Sequence, residues 1–360
     1  MSRKKRCIVH IGMPKTGTST LQEVLHNTIG GSSGSFSYMK LDTPNHGGAI
    51  YSLFAENPFI LNYHRLNRHN TDDILKFNEK NRSRIESDFI KHDTENKIIS
   101  GEDIFHMSEE ELRQFKNFLN NYFEEIVVVG YVRPVSSFLN SSFQQLVKFH
   151  ELNFFDLRKI YPYYRIKFEK FDSVFGSENV KLYLYDTSKF PGGDIVKHFS
   201  NQFGIKIEDK KIRKMNESIT KELISILFTY NLYNFDRKDF GKKNTLIHRK
   251  MIDQLSDFGR SRFSFSRRFV DAVIKNNISD IEWIEERIGE KFPLENIETP
   301  CGVDSEENLR RYACDIYFEF YEYIKGRYGK NIIRNLDKAS CDNIFELIER
   351  LKNEIFVSSY

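Results

Sequence analysis

The sequence predicts an α/β fold: a mainly parallel sheet sandwiched between helical layers, with extra helices at the C-terminal end. Three observations predict it. Short apolar runs at Ile8–Ile11 and Ile126–Val132 read as buried strands, the second as a central parallel strand covered on both faces. Each run leads towards a helical pattern: Leu21, Val24, Leu25 and Ile29 after the first, and the segment from Pro134 to Leu146 after the second. Between the first run and its helix lies Gly12 to Thr20, GMPKTGTST, a turn rich in glycine, lysine and hydroxyls. Strand, loop of this type, then helix is the arrangement that cradles a phosphate. Glycines let the backbone curl its N–H groups inward, and the helix N-terminus adds positive potential.

The loop is close to a Walker A motif and departs from it at one position. Gly12 and Gly17 have the right separation, but Thr18 stands where the motif needs lysine. The lysine, Lys15, lies inside the loop instead. A nucleoside triphosphatase uses the motif's lysine on the β- and γ-phosphates and its Ser/Thr on Mg²⁺. Lys15 with a hydroxyl-rich turn suits an anionic group with no obvious metal ligand. The stretch from Pro14 to Gln22 after a short strand resembles the 5′-phosphosulfate loop of the sulfotransferases that use 3′-phosphoadenosine 5′-phosphosulfate (PAPS), most of all their bacterial, carbohydrate-type members. The residue-level alternative is an ordinary glycine-containing strand–helix turn.

Size and composition set the bounds. The 360 residues hold one large α/β domain with insertions, or two small ones. With 39% hydrophobic and 14% aromatic residues there is ample core material. The 54 basic and 51 acidic residues leave a net charge of +3, so any anion site is local and no nucleic-acid partner is expected. Cysteines 7, 301, 314 and 341 form no Cys-x-x-Cys pair, so reduced thiols, a cytoplasmic setting and no zinc site are expected. No apolar run reaches transmembrane length, and no signal segment precedes the first strand. Golgi members of the resembled family carry an anchor there. The basic start, Arg3 to Arg6, reads as a solvated face, and the Asn-x-Ser triplets at Asn81, Asn140, Asn216 and Asn277 as chance matches.

Residues 30–50 read as loop, with a Gly/Ser stretch at 30–35 that could close over a ligand. His46 is the residue of interest there, since related bacterial enzymes place a histidine near the acceptor. A surface histidine with no role is the alternative. Residues 51–96 carry a helical pattern around Thr71–Phe89 and no evident chemistry; His64, Arg65, Arg68 and His69 read as a solvated face. Lys97 to Asp103 reads as a second buried strand ending in Glu102 and Asp103. Ligands of parallel sheets bind beyond the carboxyl ends of strands, so Glu102 is expected in the crevice of the 12–20 loop. A carboxylate there can take the proton from an attacking hydroxyl. The resemblance implies the same role for Glu102; Asp103 is the competing carboxylate, and a strand cap or ion pair the alternative.

Ser108 with Glu111 forms a capping box ahead of a helix whose Leu112, Phe115, Phe118 and Leu119, with Phe123 beyond them, face the core. Arg133 ends the strand at 126–132, and Ser141 follows eight residues later. That spacing matches the family's 3′-phosphate site, with Ser137 as the alternative register. Val180 to Asp186 alternates like a strand nearer the sheet edge and leads to a helix ending near Gly204. Asn216 with Ser218 is a nucleotide-pocket candidate or a turn. The basic clusters at 248–250 and 260–268 read mainly as solvated faces, with Gly259–Arg262 a poor stand-in for the family's late basic loop. Residues 279–292 resemble the tail of bacterial members. Two amphipathic helices are expected at about 305–328 and 341–356.

Taken together, the resemblance covers roughly residues 7–292. It implies a P-loop NTPase-like three-layer sandwich over 1–303, with insertions at about 30–96 and 219–293, and a helical extension at 304–360. It implies a PAPS-dependent sulfotransferase acting on a carbohydrate hydroxyl, with no metal. Lys15, Thr16, Gly17, Thr18, Ser19 and Thr20 would hold the 5′-phosphosulfate, and Arg133 and Ser141 the 3′-phosphate. Glu102, Lys15 and His46 are the catalytic candidates. A P-loop kinase and an inactive nucleotide-binding protein are the rival readings, and a homo-oligomer is possible.

Overall fold

The computed structural model describes residues 5–29, 32–33, 35–91, 94–149, 154–207, 219–233, 242–293 and 302–357. Among the described residues six strands form one sheet: β1 (Arg6–Ile11), β2 (Ser32–Ser33), β3 (Phe36–Tyr38), β4 (Asn96–Gly101), β5 (Glu125–Val132) and β6 (Val180–Leu184). The helices in chain order are α1 (Thr18–Ile29), α2 (Gly47–Phe54), α3 (Asn62–Asn67), α4 (Thr71–Lys91), α5 (Glu109–Asn120), α6 (Val135–Lys148), α7 (Tyr164–Phe175) and α8 (Ile195–Phe203). After them come α9 (Lys221–Tyr233), α10 (Lys242–Leu255), α11 (Arg267–Asn276), α12 (Ile278–Ile288), α13 (Glu306–Asp315), α14 (Tyr317–Tyr328) and α15 (Cys341–Val357).

The sheet order is β2-β3-β4-β1-β5-β6. From β3 to β6 every pairing is parallel; only the short β2 runs antiparallel, against β3. The α/β class and the mainly parallel sheet are therefore as the apolar runs predict. β1 is central because both of its edges are paired and Cys7 to Ile11 are fully buried. β6 lies at the edge, and its alternating burial fits that place. On one face, Ile8, Ile98, Val127 and Val129 pack with Leu21, Val24 and Leu25 of α1 and Ile195, Val196 and Phe199 of α8. On the other, α2, α5 and α7 cover the sheet. The capping box at the start of α5 is present, with Ser108 Oγ accepting from Glu111 N–H and the Glu111 carboxylate from Ser108 N–H. Such a cap is worth about 1 kcal/mol.

Register fixes what comes next. Ile11 lies opposite Gly101 on one side and Gly130 on the other. The carboxyl ends of β4, β1 and β5 therefore fall side by side, and Glu102, Gly12 and Arg133 leave the sheet at the same end.

Three expectations need correction. The chain divides into two compact units, not at 303/304. The first unit comprises 1–134, 162–216 and 279–293; the second comprises 135–161, 217–278 and 294–360. The later insertion is thus split: its part up to 278 groups with the C-terminal helices, and 279–293 with the first unit. In the first unit, Asp280 accepts from the N–H groups of Tyr164 and Arg165, and Arg287 makes a two-pronged pair with Asp172. The second unit has its own aromatic core of Phe143, Phe155, Phe228, Phe263 and Phe265. Next, the loop expected over 30–50 is interrupted by β3 (Phe36–Tyr38) and by the start of α2 at Gly47. Last, the helix expected over 305–328 breaks at Ile316 into α13 and α14.

Candidate phosphate-loop site

The loop after β1 is held by its own groups. Lys15 has φ 70° and Gly17 φ 75°, so the chain turns twice through the left-handed region before α1 starts at Thr18. Only Gly17 takes that conformation without strain. Thr16 is fully buried, and its hydroxyl donates to the Met13 carbonyl at 2.7 Å. Thr18 is also buried, with its hydroxyl 3.4 Å from that of Thr16. Ser19 is exposed and Thr20 half-buried at the first turn of α1. The first N–H groups of a helix lack intrahelical acceptors, so this turn presents donors whatever its side chains do.

Glu102 closes one side. A Cβ on Gly12 would lie 2.8 Å from Glu102 Cγ and 2.8 Å from Thr18 Oγ1. Glycine at position 12 is what lets the carboxylate approach the loop. Burial pushes the Glu102 carboxyl above its ordinary value, Asp103 adds to this, and Lys15 opposes it. The rival carboxylate points elsewhere: a Cβ on Gly47, at the start of α2, would lie 2.6 Å from Asp103 Oδ2. So Glu102 packs on the loop and Asp103 on α2. The turn that follows, Asp103–His106, is pinned by Lys170, whose ammonium donates to the carbonyls of Phe105 and Met107. Burial lowers the Lys170 ammonium to about 8.

Arg133 closes the other side. Its guanidinium donates to the Lys15 carbonyl and its N–H to the Met13 sulfur at 3.4 Å. The guanidinium also lies over the Tyr185 ring, 5.6 Å from its centre. The Tyr164 hydroxyl donates to the Arg133 carbonyl at 2.6 Å. Sequence reasoning missed Tyr185 and Tyr164. Tyr185 stands just past β6, at the same end of the sheet as Glu102, and that position was the available signal.

His46 is not on an open loop. It is fully buried at the start of α2, its ring centre 4.6 Å from that of Tyr38 and tilted by 38°. Its Nδ1 accepts from Ser100 N–H at 3.1 Å, while its own backbone N–H donates to the Ser100 carbonyl. Burial lowers its pKa to about 3, so the ring is neutral. Beside it, His10 Nδ1 lies 2.8 Å from Ser100 Oγ, which also accepts from Gln22. This buried network sits two residues before Glu102.

Ser141 lies on α6 and Gly259–Arg262 in the second unit. His248 is buried, with Nε2 bonded to the Lys148 carbonyl at 2.6 Å, and so leaves the expected solvated cluster. His64 likewise is buried, against Ser52 Oγ at 2.8 Å. Gly30, Gly31 and Gly34, and Asn216 and Ser218, lie outside the described residues. Among the described residues no helix is long and apolar enough to cross a membrane, and no group of three metal-ligating side chains occurs.

No protein-family model matches the chain, and no curated relative was found. Among solved structures, the chain is similar to a sulfotransferase from Alicyclobacillus acidocaldarius at 13% identity and a TM-score of 0.37, covering 66% of this chain and 98% of that one.

Proposed function

We propose that the chain is a PAPS-dependent sulfotransferase that sulfates a carbohydrate hydroxyl. The observation that carries this reading is the convergence at one end of the sheet. Gly12, Glu102 and Arg133 leave three adjacent strands there, and Glu102 packs on the loop that holds Lys15. A base beside an anion loop is what transfer from an anionic donor to a hydroxyl requires.

In this reading the N–H groups of the loop and first turn of α1 hold the 5′-phosphosulfate, with Lys15, Ser19 and Thr20 beside it. Thr16, Gly17 and Thr18 shape the loop. Arg133 and Ser141 take the 3′-phosphate, Ser141 on its spacing from Arg133 alone. The acceptor oxygen attacks sulfur, and its proton passes to Glu102. The bond from sulfur to the 5′-phosphate oxygen breaks, and 3′-phosphoadenosine 5′-phosphate (PAP) leaves. Lys15 stabilises the charge that builds on the leaving oxygen. Burial makes Glu102 a stronger base than an exposed glutamate, and Lys15 opposes that rise. His46 is placed too deep to meet an acceptor; its part is to fix Ser100 and so the end of β4.

Calorimetry with PAP and with ATP, each with and without Mg²⁺, tests the donor. PAP preferred, independent of metal and weakened in Arg133→Lys, is the expected result. ATP preferred in the presence of Mg²⁺ would move the loop to the kinase class. Tight PAP binding without transfer to any sugar acceptor would leave a nucleotide-binding protein without this activity.

A further inference from the structure

Cys314 and Cys341 stand 27 residues apart in sequence and side by side in the second unit. Cys314 is the penultimate residue of α13 and Cys341 the first residue of α15. Their sulfurs are 3.9 Å apart. Both are free thiols, and both are partly exposed. A disulfide bond is ~2 Å long, so rotation about the two side chains has to close only about 2 Å. Cys7 makes the contrast: it is fully buried in β1, where burial pushes its thiol far up.

The surroundings distinguish the two sulfurs. The Arg310 guanidinium, one turn before Cys314 on α13, interacts electrostatically with the Cys341 thiol. Cys341 also opens α15, whose first turn is capped by Ser340 Oγ accepting from Asn343 N–H at 3.2 Å. At Cys314, burial and the neighbouring Cys341 push the thiol up to about 11.

We propose that Cys314 and Cys341 form a redox modification site, a dithiol that small disulfides of the oxidised-glutathione class convert reversibly to an intrachain disulfide. Cys341, as thiolate, attacks one sulfur of the oxidant. A mixed disulfide forms, and one reduced thiol leaves with the proton that Cys341 gave up. Cys314 then attacks the Cys341 sulfur of that mixed disulfide. The intrachain bond forms, and the second reduced thiol leaves with the Cys314 proton. Two electrons pass from the pair to the oxidant. The bond ties the end of α13 to the start of α15 across α14, and both tied helices pack on α9. A cross-link of this kind restricts the unfolded chain, so the oxidised protein melts at a higher temperature.

The full-length protein treated with oxidised glutathione, quenched with N-ethylmaleimide and digested supplies the test. The expected product is a linked pair of peptides carrying Cys314 and Cys341, two hydrogens lighter than the separate peptides, and split by dithiothreitol. Cys314→Ser should stop at a glutathione adduct on Cys341, and Arg310→Gln should slow the linkage. Separate alkylation of both thiols in the oxidised wild type would overturn the proposal, as would a bond from either thiol to Cys301. The wild-type map decides this even if a variant fails to fold.

Discussion

Two carboxylates in this molecule sit against a glycine of a basic turn, and their fates differ. Glu102 packs on Gly12 beside Lys15; Glu222 packs on Gly259 beside Arg260 and Arg262, where a Cβ on Gly259 would lie 2.6 Å from Glu222 Oε2. Both leave water, yet Glu102 is pushed above its ordinary pKa and Glu222 ends below. Burial pushes both upward. At Glu222, hydrogen bonds overcome it: the carboxylate accepts from Ser261 N–H at 3.1 Å and Ser261 Oγ at 2.7 Å, with the Tyr312 hydroxyl at 3.4 Å. At Glu102 a nearby ammonium offsets burial only in part. The difference teaches how to tell a base from a brace. A carboxylate whose charge is satisfied by the fold holds a loop; one desolvated beside a cation has proton affinity to spend on a substrate.

The largest effect expected from breaking the comparison is on turnover. Glu102→Gln should cost about 10²–10³ in kcat while leaving PAP affinity unchanged, because a single preorganised group is commonly worth that much. Steady-state kinetics with calorimetry on the same preparation checks it. Normal turnover by folded Glu102→Gln would remove Glu102 from the base role and return attention to Asp103. The wild-type rate should rise with pH on an acid limb placed above the ordinary glutamate value. Lys15→Met removes the cation that lowers the Glu102 pKa, so its residual rate should show that limb moved to still higher pH.

The next effect is on stability. Glu222→Gln keeps the shape and loses the charge that three donors share. Hydrogen bonds to a charged group contribute about 1.5–3 kcal/mol, so denaturant unfolding of this variant should show a loss of that order. The sign with pH is definite. The folded pKa lies below the unfolded one, so the contribution of Glu222 is present above the unfolded value and fades as pH falls through the folded value. A variant as stable as wild type at neutral pH would make the bonds to Ser261 incidental.

How much of this was legible in the sequence varies by region. The 12–20 loop and the ends of β4 and β5 could be read because apolar runs bound them and the residues that follow are polar in kind: Lys15, Glu102 and Arg133. The pairing register then follows from a parallel sheet. The segment at 36–54 could not be read. β3 spans only Phe36–Tyr38, and α2 opens on Gly47 and Gly48, residues that argue for a turn. His46 looked exposed for the same reason; its burial depends on Tyr38 and Ser100, which only the sheet brings to it. The unit boundary was hidden because α6 follows β5 directly yet packs with α9, far along the chain. The nearness of Cys314 to Cys341 was hidden likewise, since spacing says nothing of two helix ends that meet.

The smallest prediction is the sharpest for the comparison, because it reverses sign. At Glu102 the folded pKa lies above the unfolded one. Below the unfolded value both states hold the proton, and the residue costs nothing. Between the two values the unfolded chain ionises first, so stability falls as pH rises; above the folded value the full cost remains. Gln at 102 mimics the protonated form and escapes that cost. Glu102→Gln should therefore melt slightly higher than wild type at pH 7 and level with it at pH 4, while Glu222→Gln melts lower at pH 7. Paired melting curves at the two pH values read this directly. If Glu102→Gln also melts lower at pH 7, then Glu102 is held by the fold as Glu222 is, and it is a brace for the loop after all.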